Sequence, residues 1–111
     1  MPPTLIIVNG TTRVMEGDIP AFIRSVMACA AETVKEAGCV YYYTGRDFIQ
    51  PDLFRLSEGW TDQASLDAHL QTPHFARSME EMAELALKEV NLKRFHVTGE
   101  EDLSDLVPRK T

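Results

Sequence analysis

The stretch Phe54–Phe75, FRLSEGWTDQASLDAHLQTPHF, predicts one strand followed by two short helices. Its first seven residues alternate in side-chain character with a period of two, which is typical of a strand. Thr61 or Asp62 is expected to cap the next helix, because a short side-chain oxygen accepts hydrogen bonds from the free amides of the first turn. The dipeptide Thr72-Pro73 repeats this signal, with the threonine as the cap and the proline in the first helical position.

The same stretch gathers aromatic and titratable side chains. Phe54, Leu56, Glu58 and Trp60 share one face of the predicted strand, and Leu66, His69 and Leu70 share one face of the first short helix. We therefore expect Trp60, His69, His74 and Phe75 to converge on one side of a sheet. There they would line a half-apolar pocket that contains two imidazoles.

Composition excludes several classes of protein. The chain has 111 residues, enough for one domain, which we assign to residues 1–111 with a core of about 4–98 and a polar tail of 99–111. The net charge of −6 disfavours binding to nucleic acid, which requires a basic surface. The longest apolar run, 5–8, is too short to span a membrane, and the first residues do not resemble a signal peptide. The two cysteines, Cys29 and Cys39, are outside any metal-ligand or redox motif, so we expect buried thiols in a cytoplasmic protein.

The remaining segments complete the order of elements. Residues 5–14 predict a first strand, and Asp18 is expected to cap a helix that ends at Gly38. Residues 39–48 predict a second strand, joined by a turn at 50–52 to the third. Residues 91–98 predict a fourth strand. The order β-α-β-β-α-β, with the second helix broken at Thr72-Pro73, indicates a ferredoxin-like α+β sandwich.

The predicted sheet is apolar on both faces, although the helices of one chain can cover only one. In the first strand, Leu5 and Ile7 face one way and Ile6 and Val8 the other. The second strand carries tyrosines on both faces. Because a large exposed apolar face usually marks an interface, we expect a homodimer in which two sheets pack against each other.

These motifs resemble the antibiotic biosynthesis monooxygenase domain of the dimeric α+β barrel superfamily. The resemblance rests on Gly38-Cys39-Val40 at the second strand, on strand 54–60, and on the segments 68–70 and 72–75. It extends from about Leu5 to about Val97. It implies the ferredoxin-like dimer and a cofactor-independent oxygenation of a phenolic, polyketide-like or quinol compound by dioxygen. Haem-degrading relatives carry their haem-ligating histidine where this chain has Met79, so haem degradation is not implied.

Cofactor-independent oxygenation requires an aromatic-lined cavity that excludes water and a base that ionises the substrate. The candidate catalytic residues are His69, His74 and Glu58. For His69 the alternative is a packing residue against Trp60, for His74 a residue of the helix start, and for Glu58 an ion pair with Lys93 or Arg94 on the neighbouring strand. The candidate substrate-binding residues are Trp60, Tyr41, Tyr43, Phe54, Phe75 and Met79.

Two functions follow from this pattern. The first is a monooxygenase that acts on a small aromatic substrate and dioxygen without metal, flavin or haem. The second is a small-molecule-binding or stress-associated dimer on the same fold without catalytic activity, since a fold does not determine a function.

Overall fold

The computed structural model describes residues 3–110, and it has the predicted order of strands and helices. Met1, Pro2 and Thr111, the ends of the predicted domain, lie outside the described residues. The elements are β1 (Ile6–Val14), α1 (Ile19–Thr33), β2 (Cys39–Arg46), β3 (Leu53–Trp60), α2 (Gln63–His69), α3 (Pro73–Met82) and β4 (Leu87–His96). Short 3₁₀ turns occupy Glu16–Asp18 and Ser104–Leu106. The α+β ferredoxin-like prediction is confirmed for the single chain.

The four strands form one antiparallel sheet in the order β2-β3-β1-β4. The central pair aligns Ile6 with Trp60 and Val8 with Glu58, so these side chains lie on the face that the helices cover. Two buried clusters hold the layers together. One contains Val14, Ile19, Phe22 and Phe54, and the other contains Ile6, Trp60 and Leu66.

Two of the predicted helix caps are confirmed. Asp62 Oδ1 accepts a hydrogen bond from the Ser65 amide at 2.7 Å, and Thr72 Oγ1 accepts one from the Phe75 amide at 3.2 Å. The prediction for Asp18 is wrong, because its side chain makes no cap hydrogen bond. Asp18 Oδ2 instead accepts from the Ala86 amide at 2.8 Å, which ties the start of α1 to the chain just before β4.

Gly38 does not end α1, which stops at Thr33. A Cβ atom on Gly38 would overlap the Ser65 side chain of α2, so the glycine allows a close approach between β2 and α2. The strand bounds also differ from the prediction, because β2 ends at Arg46 and β4 begins at Leu87 rather than at Asn91.

The sheet face opposite the helices is apolar only in part. Tyr41 and Tyr43 stack there with ring centroids 5.1 Å apart, and Tyr43 is 65% exposed. Further along the same face Ser57 Oγ donates to Asn9 Oδ1 at 2.7 Å. We call this surface the open face. None of the helices within residues 3–110 is long and apolar enough to cross a membrane.

Candidate functional site

An apolar cavity of about 180 Å³ lies between the helices and the sheet. Its lining includes Phe22 and Val26 of α1, Phe54 of β3, Met79 and Met82 of α3, and Leu92 of β4. Met79 and Leu92 are 45% and 49% exposed, so the cavity opens to solvent between α3 and the edge strand β4. A cavity of this kind can hold a small aromatic ring and admit it from one side.

Tyr42 lines this cavity, and Cys29 lines it too, with its thiol in hydrogen-bonding distance of the Tyr42 hydroxyl. Burial raises the pKa of the Tyr42 phenol far above its ordinary value, with the Glu58 carboxylate and Cys29 adding to the effect. Tyr42 therefore stays protonated and can donate a hydrogen bond at neutral pH.

Behind Tyr42 lies a cluster of two imidazoles that share one carboxylate oxygen. Glu36 Oε2 is 2.7 Å from His69 Nδ1 and 2.7 Å from His74 Nε2. The His69 side chain is 1% exposed, whereas those of His74 and Glu36 are 20% and 16% exposed. The cluster thus extends from the protein interior to its surface.

Aromatic rings enclose the His69 side chain. Its ring centroid lies 4.8 Å from that of Trp60, 5.2 Å from that of Phe75 and 5.9 Å from that of Tyr42. A charged imidazole in this surrounding would lose its hydration, and the Glu36 carboxylate offers the compensating charge.

Glu58 has a different partner from the Lys93 or Arg94 that the sequence suggested, because β1 lies between β3 and β4 in the sheet. It is 6% exposed, and its Oε1 accepts a hydrogen bond from Trp60 Nε1 at 2.9 Å. Burial raises the pKa of the Glu58 carboxyl, as does the nearby Glu36 carboxylate, while the Trp60 N–H and His69 act in the opposite direction. The carboxyl thus orients the indole of Trp60, against which His69 packs.

The Glu58 carboxyl should make the stability of the protein depend on pH. Because its pKa is raised in the folded state, its contribution to the free energy of unfolding is complete below its unfolded value of about 4.5 and is lost as the pH rises through the folded value. We expect Glu58→Gln, whose amide oxygen can still accept from Trp60, to remove this loss. At pH 7 the free energy of unfolding should then rise by about 1.4 kcal/mol for each unit by which the pKa is raised.

Urea unfolding of both proteins at pH 4 and pH 7 measures this difference. A Glu58→Gln variant that is less stable than the parent protein at pH 7 would show that the ionised carboxylate stabilises the fold. Lys93, an exposed residue on β4, offers a control substitution by glutamine that should leave the pH dependence unchanged.

Glu36, His69 and His74 are also residue types that bind metal ions, and their candidate ligand atoms lie within 4.8 Å of one another. On a tetrahedral zinc ion with bonds of about 2.0–2.1 Å, ligand atoms lie about 3.3 Å apart. The carboxylate oxygen is closer than this, at 2.7 Å from each ring nitrogen. The spacing fits hydrogen bonds to a shared oxygen better than a metal ion. That the protein needs no metal stays a prediction.

The structure gathers most of the predicted site residues but divides them into two groups. Phe54 and Met79 line the apolar cavity. His69, Trp60 and Phe75 pack together beside it, with His74 joined to His69 through Glu36 and Glu58 joined to Trp60. In the described part of the chain, the cavity lining does not include His69, Trp60 or Glu58.

Tyr41 and Tyr43 do not reach this cavity, since they lie on the open face. A register shift between Cys39 and Tyr41 inserts one extra residue into β2 relative to β3. Such a bulge reverses the alternation of side chains, so that Cys39 and Tyr42 both face the helices. Tyr42 is consequently the tyrosine of the cavity.

Glu36 is the second residue that sequence reasoning missed. It lies in the turn between α1 and β2, and it is 33 residues from His69 and 38 from His74 along the chain. No local pattern marks such a residue. Only the packing of this turn against α2 and α3 reveals its two hydrogen bonds.

Comparisons with known proteins agree with this architecture. The family model for antibiotic biosynthesis monooxygenase matches residues 5–81. An uncharacterized protein of Synechocystis sp. is 28% identical over 98 residues, which are 88% of this chain and 67% of that protein.

Several solved structures have the same fold. A conserved protein of unknown function from Bacteroides thetaiotaomicron, described as a possible oxidoreductase, is 32% identical with a TM-score of 0.77, over 85% of this chain and 98% of that chain. A Pseudomonas aeruginosa protein is 28% identical with a TM-score of 0.78, over 89% and 99% of the two chains. A Deinococcus radiodurans structure, described as a candidate antibiotic biosynthesis monooxygenase, has a TM-score of 0.82 at 19% identity, over 89% and 98%.

Proposed function

Because the chain belongs to the antibiotic biosynthesis monooxygenase family, we propose that it is a cofactor-independent monooxygenase of a small phenolic or quinol substrate. The observation that carries the proposal is the apolar cavity with Tyr42 in its wall and, packed against that tyrosine, the buried His69 with its hydrogen bond to Glu36. This arrangement combines a binding site for an aromatic ring with a base that is shielded from water.

The size of the cavity favours a substrate of one or two rings. Its volume is about 180 Å³. An enclosed apolar cavity of about 150 Å³ accommodates one benzene molecule. A hydroquinone or naphthohydroquinone therefore fits this space better than a tricyclic polyketide, although the opening at Met79 and Leu92 leaves room for a substituent.

The reaction can be balanced without a cofactor. A hydroquinone, once ionised, donates an electron to dioxygen, and the resulting radicals combine to place one oxygen atom on the ring. The other oxygen atom leaves as water, and the ring becomes a hydroxyquinone. The substrate supplies all four electrons that reduce dioxygen. The protein has to ionise the ring and to keep solvent away from the peroxide stage.

Two polar residues are assigned to the ionisation step. The Tyr42 hydroxyl donates a hydrogen bond to the substrate oxygen as negative charge develops there. His69 is the proposed base. Tyr42 lines the cavity, and its ring centroid lies 5.9 Å from that of His69, which does not line it. The proton that leaves the substrate therefore has to travel past Tyr42 to reach the imidazole.

Oxygen uptake by the purified protein tests the proposal. The substrate panel contains benzohydroquinone, naphthohydroquinone and anthrone, so that it separates substrates by ring number. We expect the fastest uptake above the uncatalysed rate with the one- and two-ring compounds, no dependence on added metal or flavin, and a colourless protein. Uptake equal to that of a buffer blank with every compound would refute the monooxygenase assignment.

A second candidate function is the binding of a small aromatic compound without oxygenation. It is favoured by the position of His69, which does not line the cavity in the described structure. Calorimetric binding of a non-oxidisable phenol, together with no oxygen uptake from the corresponding hydroquinone, would distinguish this function from catalysis.

We also propose that two copies of the chain associate through the open face. Tyr41, Tyr43 and Phe95 lie on this face, and Tyr43 and Phe95 are 65% and 48% exposed. A second copy would bury them. Light scattering is expected to give the mass of a dimer, and Tyr43→Glu to give a monomer. A monomeric parent protein at micromolar concentration would contradict the proposal.

The cytoplasmic location stays a prediction from cysteine content.

A further inference from the structure

Glu36 forms the only link between the two histidines among the described hydrogen bonds, and this link determines where their protons lie. An ionised carboxylate accepts hydrogen bonds but cannot donate them. Its Oε2 lies 2.7 Å from His69 Nδ1 and from His74 Nε2, so each of these nitrogens must carry a hydrogen. Neutral His69 is then protonated at Nδ1, and its Nε2 is left as the nitrogen that can accept a proton.

Glu36 is held more firmly than an ordinary carboxylate at the surface. It lies in the turn that follows α1, its side chain is only 16% exposed, and two imidazoles from two different helices donate to the same oxygen. A single hydrogen bond would leave the carboxylate free to rotate. The second one, from His74, fixes the orientation of the carboxylate toward His69.

We propose that Glu36 is a positioning residue: it fixes the tautomer and ring orientation of His69 and balances the charge when His69 Nε2 accepts the substrate's proton. The inference rests on the proposed function in that it takes His69 as the base. His74, which the sequence suggested as a second catalytic residue, serves to anchor Glu36.

Burial explains why the base needs this partner. His69 is surrounded by the rings of Trp60, Phe75 and Tyr42, so an imidazolium there is deprived of water. A carboxylate in direct hydrogen bond offsets much of this cost. Several other titratable or charged groups surround the cluster. They are Glu58, Cys39 and Tyr42 from the sheet, Glu32 from the end of α1 with its partner Lys35 in the following turn, and Arg77 and Glu81 from α3.

Histidine ¹⁵N NMR spectra of labelled protein test the inference without relying on activity. In the parent protein, neutral His69 is expected to carry hydrogen on Nδ1 and none on Nε2. In Glu36→Leu no acceptor faces Nδ1, so the hydrogen is expected to move to Nε2, the position that an unconstrained neutral imidazole favours. A parent spectrum with hydrogen on Nε2 would overturn the inference even if the variant did not fold.

Kinetics then connect the tautomer to the reaction. On a substrate from the oxygen-uptake panel, Glu36→Gln is expected to lower kcat on the order of 10²-fold with little change in KM, because substrate contacts are untouched. Its plot of kcat against pH should change shape, and Glu36→Asp should recover part of the loss. The matched control is Glu32→Gln, whose carboxylate bonds Lys35 at 2.9 Å rather than a histidine, and which should keep the parent tautomer and kcat.

The outcomes separate this inference from the proposed function. An unchanged tautomer in Glu36→Leu or an unchanged kcat in Glu36→Gln would overturn the positioning role while oxygen uptake by the parent protein still supported a monooxygenase. A parent protein without oxygen uptake would refute the monooxygenase assignment, and the NMR spectra would still decide whether Glu36 fixes the tautomer.

Discussion

Replacing His69 with alanine is expected to lower the turnover of an oxidisable hydroquinone by roughly two to four orders of magnitude, the range for loss of a general base. The reason is the position of the imidazole, which is buried against Trp60, lies next to the cavity tyrosine and has its Nδ1 occupied by Glu36. The measurement is the initial rate of oxygen uptake at saturating substrate. Substrate affinity should change much less, since His69 does not line the cavity.

His74→Ala is the matched control for this prediction. It removes an imidazole from the same cluster, but one that lies at the start of α3 and is 20% exposed. We expect it to lower the free energy of unfolding on the order of 1 kcal/mol and to affect turnover less than His69→Ala does. If His69→Ala keeps full oxygen uptake on a confirmed substrate, then His69 is a packing residue. The base would then have to be Glu58, His74 or a group of the substrate itself.

Replacing Trp60 with alanine is expected to cost roughly 3–5 kcal/mol in the free energy of unfolding, as for other large side chains removed from a core. Trp60 is fully buried at 0% exposure, its ring packs against that of His69 at a tilt, and its Nε1 donates the hydrogen bond that satisfies Glu58. Truncation therefore leaves a void and a buried carboxyl without its partner. A loss of this size is a large share of the stability of a small protein.

Urea unfolding followed by far-ultraviolet circular dichroism gives this value, since Trp60 is the only tryptophan and fluorescence would be lost with it. The exposed aromatic residue Phe48, at the turn between β2 and β3, provides the comparison. Phe48→Ala also removes an aromatic ring, but an exposed one, and should change stability by less than about 0.5 kcal/mol. Equal losses in the two variants would contradict the assignment of Trp60 to the core.

Sequence patterns predicted the elements well where the signals are local. The caps at Asp62 and Thr72 were recognisable because a helix start requires a short oxygen-bearing side chain at one defined position. Sequence patterns were less reliable where a distant part of the chain competes for the same side chain. Asp18 has the right residue type for a cap, but its carboxylate binds the Ala86 amide, which is 68 residues away along the chain.

The candidate site was predictable only in part, because its residues come from segments far apart. The period-two alternation of residues in β3 correctly placed Phe54, Glu58 and Trp60 on the face that the helices cover. The same alternation could not tell which tyrosines of β2 face the helices, since the bulge after Cys39 exchanges the faces of the tyrosines that follow. This single extra residue decides that Tyr42, and not Tyr41 or Tyr43, reaches the cavity.

The sequence by itself determined the order of strands and helices, the family, and the gathering of Trp60, His69 and Phe75, because these depend on periodicity and on motifs within short stretches. Only the tertiary structure decided which carboxylate meets the histidines. The turn that contains Glu36 is brought to α2 and α3 by the packing of α1 and β2, and no local propensity encodes that approach. The hydrogen bonds of a buried imidazole depend on whatever polar group the fold places beside it.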